Sequence, residues 1–135
     1  MSEHTPTQAE PTPYERLGGA EGVRRLVDHF YAHMDTLPEA RTIRAMHARD
    51  LSGARDKLFD FLSGWLGGPP LYWQKHGHPR LRARHLPFPI DVEAAAAWMR
   101  CMHLALVEVV EDPALRDGLA TSFAQVANHM RNQPE

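Results

Sequence analysis

The sequence predicts an all-α protein, and three observations lead to this class. Apolar residues recur at intervals of three and four along four separate stretches, which is the period of one helix face. No stretch alternates apolar and polar residues as a strand does, and no hairpin dipeptide is present. At least one proline lies in each gap between the periodic stretches, and a Gly-Gly-Pro-Pro run follows the second stretch at residues 67–70. The chain has 135 residues, which is the length of one domain.

The N-terminal segment, residues 1–13, is polar and contains three of the prolines. Nothing in it can fill a core, so we expect a disordered tail followed by one domain over residues 14–135. The segment lacks the apolar stretch of a secretory signal. No run of the chain approaches the roughly 18 apolar residues of a membrane span. We therefore expect a cytoplasmic protein without a membrane partner.

The first half of the domain predicts three helices. Apolar positions along residues 23–34 form one face of an amphipathic helix. A proline can begin a short helix over residues 38–44, because the first helical position needs no N–H donor. Asp50 is placed to cap a third helix over residues 51–65, which the Gly-Gly-Pro-Pro run at residues 67–70 ends.

The second half predicts a loose segment and then two long helices. Residues 71–90 read as weakly structured, with room for one or two helical turns at residues 80–85. A long segment of this kind within a compact domain indicates a functional role. Asp91 is placed to cap the next helix, and Asp112 with Pro113 begins the last one.

Composition excludes several classes of function. Apolar residues make up 43% and charged residues 24% of the chain, as in ordinary globular proteins. The formal charge of −2 predicts no nucleic-acid partner. The single cysteine, Cys101, excludes an internal disulfide, a CxxC metal site and a covalent CxxCH haem attachment. We expect it to be a small core residue.

Three of the nine histidines need separate comment. His29 and His33 share one helix face at a spacing that can bind a metal, but no nearby Glu or Cys completes a set, so no site is expected there. His85 ends a short basic turn, and Pro87 disfavours continuation of the helix through Leu86. At a helix end, its imidazole can ligate a metal while a backbone carbonyl orients the other nitrogen. Local context leaves a helix cap and a metal ligand both open.

Five stretches of the chain together resemble one family. They are Gly-Gly at residues 18–19, Phe-Tyr at 30–31, LGGPPLY at 66–72, GHPRLRARHLPFPI at 77–90 and AWMRCM at 97–102. In these stretches the chain resembles the group II truncated haemoglobins, which have a shortened two-over-two helical globin fold. The resemblance covers the whole chain except the N-terminal tail, and it implies a non-covalently bound haem b, iron protoporphyrin IX.

The resemblance also implies roles for individual residues. His85 matches the proximal iron ligand. Tyr31 and Trp98 match the distal tyrosine and tryptophan that reach the bound gas, and His47 falls where the family has an aromatic residue or a histidine over the haem edge. The remaining matches are haem contacts, including two cations for the propionates: Ala54, Lys57, Leu58, Phe61, Tyr72, His78, Leu81, Arg84, Phe88 and Met102.

Each role has a plainer alternative. Tyr31 and Trp98 lie on apolar stripes and can be ordinary core residues with a satisfied polar tip. Lys57 and Arg84, with their basic neighbours, can belong to a solvated face. Taken together, the family matches favour a site over these separate readings.

The implied function is binding of O2 and other diatomic ligands, NO and CO among them. Two strong donors, each worth about 1.5–3 kcal/mol to a charged acceptor, predict slow oxygen release and hence a poor carrier. We therefore favour a redox or detoxifying role, either NO dioxygenation or peroxidase-like turnover of H2O2 with His47 as acid or base, served by an unidentified reductase. The alternatives are an oxygen carrier, store or gas sensor, and more remotely a haem-free helical interaction module. We expect a monomer or a weak homodimer.

Overall fold

All regular structure in residues 10–133, the part of the chain that the computed structural model describes, is helical. Eight α-helices and one 3-10 turn follow one another in this range, which confirms the all-α prediction. Their bounds are α1 Pro13–Leu17, α2 Gly19–Thr36, the 3-10 turn Pro38–Ala40, α3 Arg41–Ala45, α4 Ser52–Trp65, α5 Leu71–His76, α6 Leu81–His85, α7 Val92–Val109 and α8 Pro113–His129.

The first helix begins with a reciprocal cap. The Thr12 hydroxyl accepts a hydrogen bond from the Glu15 N–H at 3.1 Å, and the Glu15 carboxylate accepts one from the Thr12 N–H at 2.9 Å. Helix α1 therefore begins at Pro13, one residue inside the predicted tail, of which residues 1–9 lie outside the described part. Gly18 ends α1 with φ 110°, a left-handed conformation that favours glycine.

Two helix pairs enclose the core. Helix α2 packs on α4, α7 packs on α8, and contacts between α2 and α7 join the pairs into a two-over-two arrangement. The largest fully buried side chains come from both layers and include Phe30 of α2, Leu62 of α4, Met102 of α7 and Phe123 of α8. Cys101 is buried beside them, as predicted, and burial raises the pKa of its thiol to about 11.

The predicted caps of the long helices are present. Asp91 accepts a hydrogen bond from the Ala94 N–H at 2.7 Å, and Asp112 accepts one from the Ala114 N–H at 3.0 Å. Asp50 accepts one from the Ser52 N–H at 2.9 Å, although Leu51 occupies the position directly before α4. Within residues 10–133, none of these helices has the length and apolarity that crossing a membrane requires.

The prediction for residues 71–90 was wrong at its start. Leu71–His76 forms helix α5, which packs on α4 and buries Tyr72 to 7% exposure against Phe61. The prolines directly before the helix and Gly77 directly after it resemble loop sequence, yet a proline is tolerated just outside a helix N-terminus. The second turn was predicted correctly, since α6 spans Leu81–His85.

Candidate functional site

His85 is held by the helix that it ends. Its Nδ1 lies 2.7 Å from the carbonyl oxygen of Leu81, one turn earlier in α6. A carbonyl oxygen only accepts, so Nδ1 carries the proton and the lone pair of the imidazole is on Nε2. The expectation that a backbone carbonyl orients this imidazole is confirmed. A neutral histidine held in this way presents one nitrogen for a metal.

The segment beside His85 exposes apolar side chains. Leu86 is 57% exposed and Phe88 is 39% exposed, while Leu81 is half-buried. Apolar residues of this size are usually covered when they cluster. Leu81, Leu86 and Phe88 therefore leave apolar surface near His85 in the chain, which is the chemistry that a flat, largely apolar group requires.

Tyr31 and His47 lie together at the buried face of α2. Tyr31, on α2, is 5% exposed, and its ring meets the His47 ring edge to face at 5.9 Å between centroids. Burial raises the pKa of Tyr31 to about 12, while the charge of Arg55 opposes the rise. The phenol is therefore a hydrogen-bond donor throughout the neutral range. His47 donates from Nδ1 to the Ile43 carbonyl at 2.8 Å, which leaves its Nε2 as an acceptor.

Trp98 reaches the same neighbourhood from α7. Its ring lies 5.1 Å from Phe30 and 6.0 Å from Phe123, and Phe30 in turn lies 4.9 Å from Tyr31. Phe30 therefore spaces the two predicted distal donors. Neither the Tyr31 hydroxyl nor the Trp98 indole N–H has a hydrogen-bond partner within residues 10–133, so both stay available as donors.

Helix α4 carries three of the apolar residues that are predicted to contact haem. Ala54, Leu58 and Phe61 recur along one side of α4 and are half-buried against the core. Phe61 also stacks on Trp73 of α5 at 5.7 Å. Lys57 lies on the exposed side of the same helix.

Other residues that are predicted to contact haem lie in two different environments. Phe61, His78 and Leu81 line one open cavity of about 420 Å³, which also touches His129 at the end of α8. Met102, in contrast, is completely buried in the protein core. Its predicted contact with haem stays a prediction, as do the roles of the other residues of the set.

Arg84 is held near the proximal segment. Its Nε donates to the Pro79 carbonyl at 2.7 Å, and its guanidinium lies 5.8 Å from the centre of the Tyr72 ring. His78 accepts a hydrogen bond from the Arg80 N–H at 3.0 Å. The cation of Arg84 is therefore placed by α5 and the turn before α6.

Reasoning from sequence missed a carboxylate beside His29 and His33. Glu108 of α7 accepts hydrogen bonds from His29 Nδ1 at 2.7 Å and from His33 Nε2 at 2.8 Å. The expectation that no Glu lies near this pair was wrong, because the carboxylate comes from a distant part of the chain. Among residues 10–133, no group of three such side chains is arranged to hold a metal ion, so the cluster ties α2 to α7.

Sequence reasoning also missed Asn132, which follows α8. Its side chain binds three backbone groups of the segment between His85 and Ile90. Nothing in the local sequence around Asn132 signals this contact, because its partners lie 42 to 47 residues earlier.

An all-α two-over-two fold with an oriented histidine on a short helix, together with a buried tyrosine on α2 and a tryptophan on α7, is typical of a globin. The sequence profile of the bacterial-like globins matches residues 12–132. Group 2 truncated hemoglobin YjbI of Bacillus subtilis is 42% identical over 128 residues, which cover 95% of this chain and 94% of the relative.

Solved structures give the same picture. The group II 2-on-2 hemoglobin of Agrobacterium tumefaciens is 45% identical with a TM-score of 0.89, covering 99% of this chain and 100% of that one. The truncated oxygen-avid haemoglobin of Bacillus subtilis is 42% identical with a TM-score of 0.82, covering 90% of this chain and 100% of that one. The chain belongs to the bacterial-like globins and, within them, to the group II truncated haemoglobins. Membership implies binding of haem and of diatomic gases such as O2.

Proposed function

We propose that this protein binds haem b through His85 Nε2 and uses it for redox chemistry on small ligands rather than for oxygen transport. The observation that carries the proposal is the pair of donors, Tyr31 and Trp98, which Phe30 spaces apart and which are hydrogen-bonded to no group in residues 10–133. The haem, when bound, supplies an iron that takes O2, NO, CO or peroxide.

The role of His85 rests on its tautomer. The Leu81 carbonyl accepts a hydrogen bond from His85 Nδ1 at 2.7 Å, so only Nε2 is free to bind iron. The exposed apolar side chains of Leu86 and Phe88 supply cover for the macrocycle beside it. Lys57 and Arg84 are the cations proposed to pair with the propionates.

The role of Tyr31 and Trp98 is to hold a polarised ligand. Both are donors on rigid rings, and each hydrogen bond to a charged acceptor contributes about 1.5–3 kcal/mol. Two such bonds slow the release of oxygen, which suits a scavenger or an enzyme better than a carrier. The relative from Bacillus subtilis that is described as oxygen-avid agrees with slow release.

His47 is the proposed acid–base group. Its Nδ1 is engaged with the Ile43 carbonyl, and its ring meets Tyr31, so Nε2 can accept a proton on the same side as the phenol. This favours two reactions, NO dioxygenation and peroxidase-like turnover. Either needs an electron donor, and we propose a reductase in the cytoplasm, with the globin as a monomer or a weak homodimer.

Ligation is tested by absorption spectroscopy of the haem-loaded protein. We expect a haem band in the parent, loss of proximal ligation in His85→Gly, and its return on addition of imidazole. His103→Gly, which changes an exposed histidine of α7, is the control and keeps the parent spectrum. A folded, colourless protein that does not take up haem overturns the proposal and favours a haem-free interaction module.

The reaction is tested by two assays on one preparation. Stopped-flow mixing of the oxygen-loaded ferrous protein with NO measures dioxygenation, and turnover of H2O2 by the ferric protein measures peroxidase activity. We expect at least one of these activities to fall in both Tyr31→Phe and Trp98→Phe. If neither activity exceeds that of free haem, the protein is an oxygen store or a gas sensor.

A further inference from the structure

The segment that follows His85 is bound by one side chain from the other end of the domain. Asn132 Nδ2 donates to the His85 carbonyl at 3.1 Å and to the Phe88 carbonyl at 2.9 Å. Its Oδ1 accepts a hydrogen bond from the Ile90 N–H at 2.9 Å. The backbone N–H of Asn132 also donates to the Ile90 carbonyl at 2.8 Å.

This set of contacts requires a short amide side chain. Two carbonyl partners need an NH2 group, and the Ile90 N–H needs an oxygen, so the orientation of the Asn132 amide is determined by its partners. Asp has no donor in its ionised form, and Leu has neither a donor nor an acceptor. The match between the amide and its three backbone partners is therefore specific to an amide at this position, and the Oδ1 atom also accepts a hydrogen bond from the Gln133 side chain at 3.2 Å.

The segment between His85 and Ile90 cannot stabilise itself in the same way. Pro87 and Pro89 have no N–H, so few donors are available within it. The Phe88 N–H donates to the His85 carbonyl at 3.0 Å. Asn132 Nδ2 donates to the same His85 carbonyl and to the Phe88 carbonyl. The Asn132 amide therefore adds three bonds to a segment that has few donors of its own.

Helix α6 is also too short to set the direction of His85 alone. It has five residues, and helices of that length are not stable without outside contacts. The imidazole is tied at Nδ1 to the Leu81 carbonyl, and the backbone of the same residue is tied to Asn132. The two ties together orient His85 relative to the end of α8.

We propose that Asn132 is a positioning residue for the iron ligand: by holding the carbonyl of His85 it sets the direction of the imidazole, and with it the strain in the bond to iron and the retention of haem. This inference rests on the proposed function, in which His85 Nε2 binds the iron. Asn132 itself contacts neither the iron nor a ligand.

The test compares Asn132→Asp with Asn128→Asp in the haem-loaded protein. The first change replaces both donors by oxygen at nearly the same size, and the second makes the same change four positions earlier on the exposed end of α8. The readouts are the iron–histidine stretching band in the resonance Raman spectrum of the deoxygenated ferrous protein and the rate of haem loss to a scavenger.

We expect Asn132→Asp to shift the band and to raise the rate of haem loss by roughly tenfold, the size of change that loss of an outer-shell partner produces. Asn128→Asp keeps both parent values. An unchanged band and an unchanged rate in Asn132→Asp overturn the inference, even if the melting temperature falls, because a merely structural tie would lower stability alone.

Two further variants keep the result interpretable. Asn132→Ala removes the same bonds without adding a charge, so it replaces Asn132→Asp if that variant does not fold. A shifted band with faster haem loss then supports the inference, and an unchanged band and rate overturn it. His85→Gly is measured in parallel. If His85→Gly retains the iron–histidine band, the proposed ligation is wrong; if it loses the band while both Asn132 variants match the parent, only the role of Asn132 is wrong.

Discussion

The rings of Tyr31 and His47 meet edge to face, with their centroids 5.9 Å apart. This contact joins the buried face of α2 to the turn that follows α3. It brings a phenol that stays protonated and an imidazole with a free Nε2 to one place. A hydrogen-bond donor and a hydrogen-bond acceptor are therefore held close together at this point of the fold.

The first prediction concerns oxygen release. Trp98→Phe and Tyr31→Phe each remove one donor, and each raises the rate of oxygen dissociation by about ten- to a hundredfold, because a hydrogen bond to a charged acceptor contributes roughly 1.5–3 kcal/mol. Stopped-flow displacement of oxygen by CO measures the rate. Tyr14→Phe, which removes a hydroxyl from α1, leaves it unchanged. Equal rates in Trp98→Phe and the parent assign Trp98 to packing only.

The second prediction is a loss of stability at high pH. The pKa of Tyr31 is raised from 10.0 to about 12 in the folded protein. The contribution of the protonated phenol to the free energy of unfolding is therefore complete below pH 10 and is lost as the pH rises through 12. The full shift corresponds to about 2–3 kcal/mol. Urea unfolding between pH 9 and pH 12 measures the slope, which Tyr31→Phe reduces. Tyr14→Phe retains the parent slope, and a parent-like slope in Tyr31→Phe contradicts the prediction.

The third prediction concerns acid. Hydrogen bonds from His29 and His33 hold the pKa of the Glu108 carboxyl below its usual value of 4.5. Its contribution to stability is present above pH 4.5 and is lost as the pH falls through the lowered pKa. Because these side chains are partly exposed, the effect is below about 1 kcal/mol. Urea unfolding from pH 3 to pH 6 measures the free energy of unfolding. This free energy depends less on pH in Glu108→Gln than in either the parent or Glu111→Gln.

The fourth prediction concerns the residue between the two distal donors. Phe30 has no exposed surface and contacts both Tyr31 and Trp98. Phe30→Ala lowers the free energy of unfolding by about 3–5 kcal/mol, the range for loss of a buried aromatic ring. Val107→Ala, at a position that is 51% exposed, changes it by no more than about 0.5 kcal/mol. Chemical denaturation monitored by circular dichroism measures both, and similar values for the two variants contradict the assigned packing.

Part of the candidate site follows from sequence patterns because it is made of local contacts. His85 ends a helix where Pro87 predicts an end, and its Nδ1 binds a carbonyl one turn earlier, as expected. Helix α5 was not predicted from the sequence patterns, because its glycine and proline neighbours resemble loop sequence. Its stability comes from burial of Tyr72 against α4.

The sequence by itself determined the long helices, their caps and the hydrogen bond between His85 Nδ1 and the Leu81 carbonyl, because each depends on hydrogen bonds and apolar spacing within one or two turns. Only the tertiary structure decided that Glu108 meets His29, 79 residues away, and that Asn132 meets His85, 47 residues away. Contacts of this range depend on how α2, α7 and α8 pack, and packing is a property of whole helix faces rather than of any short motif.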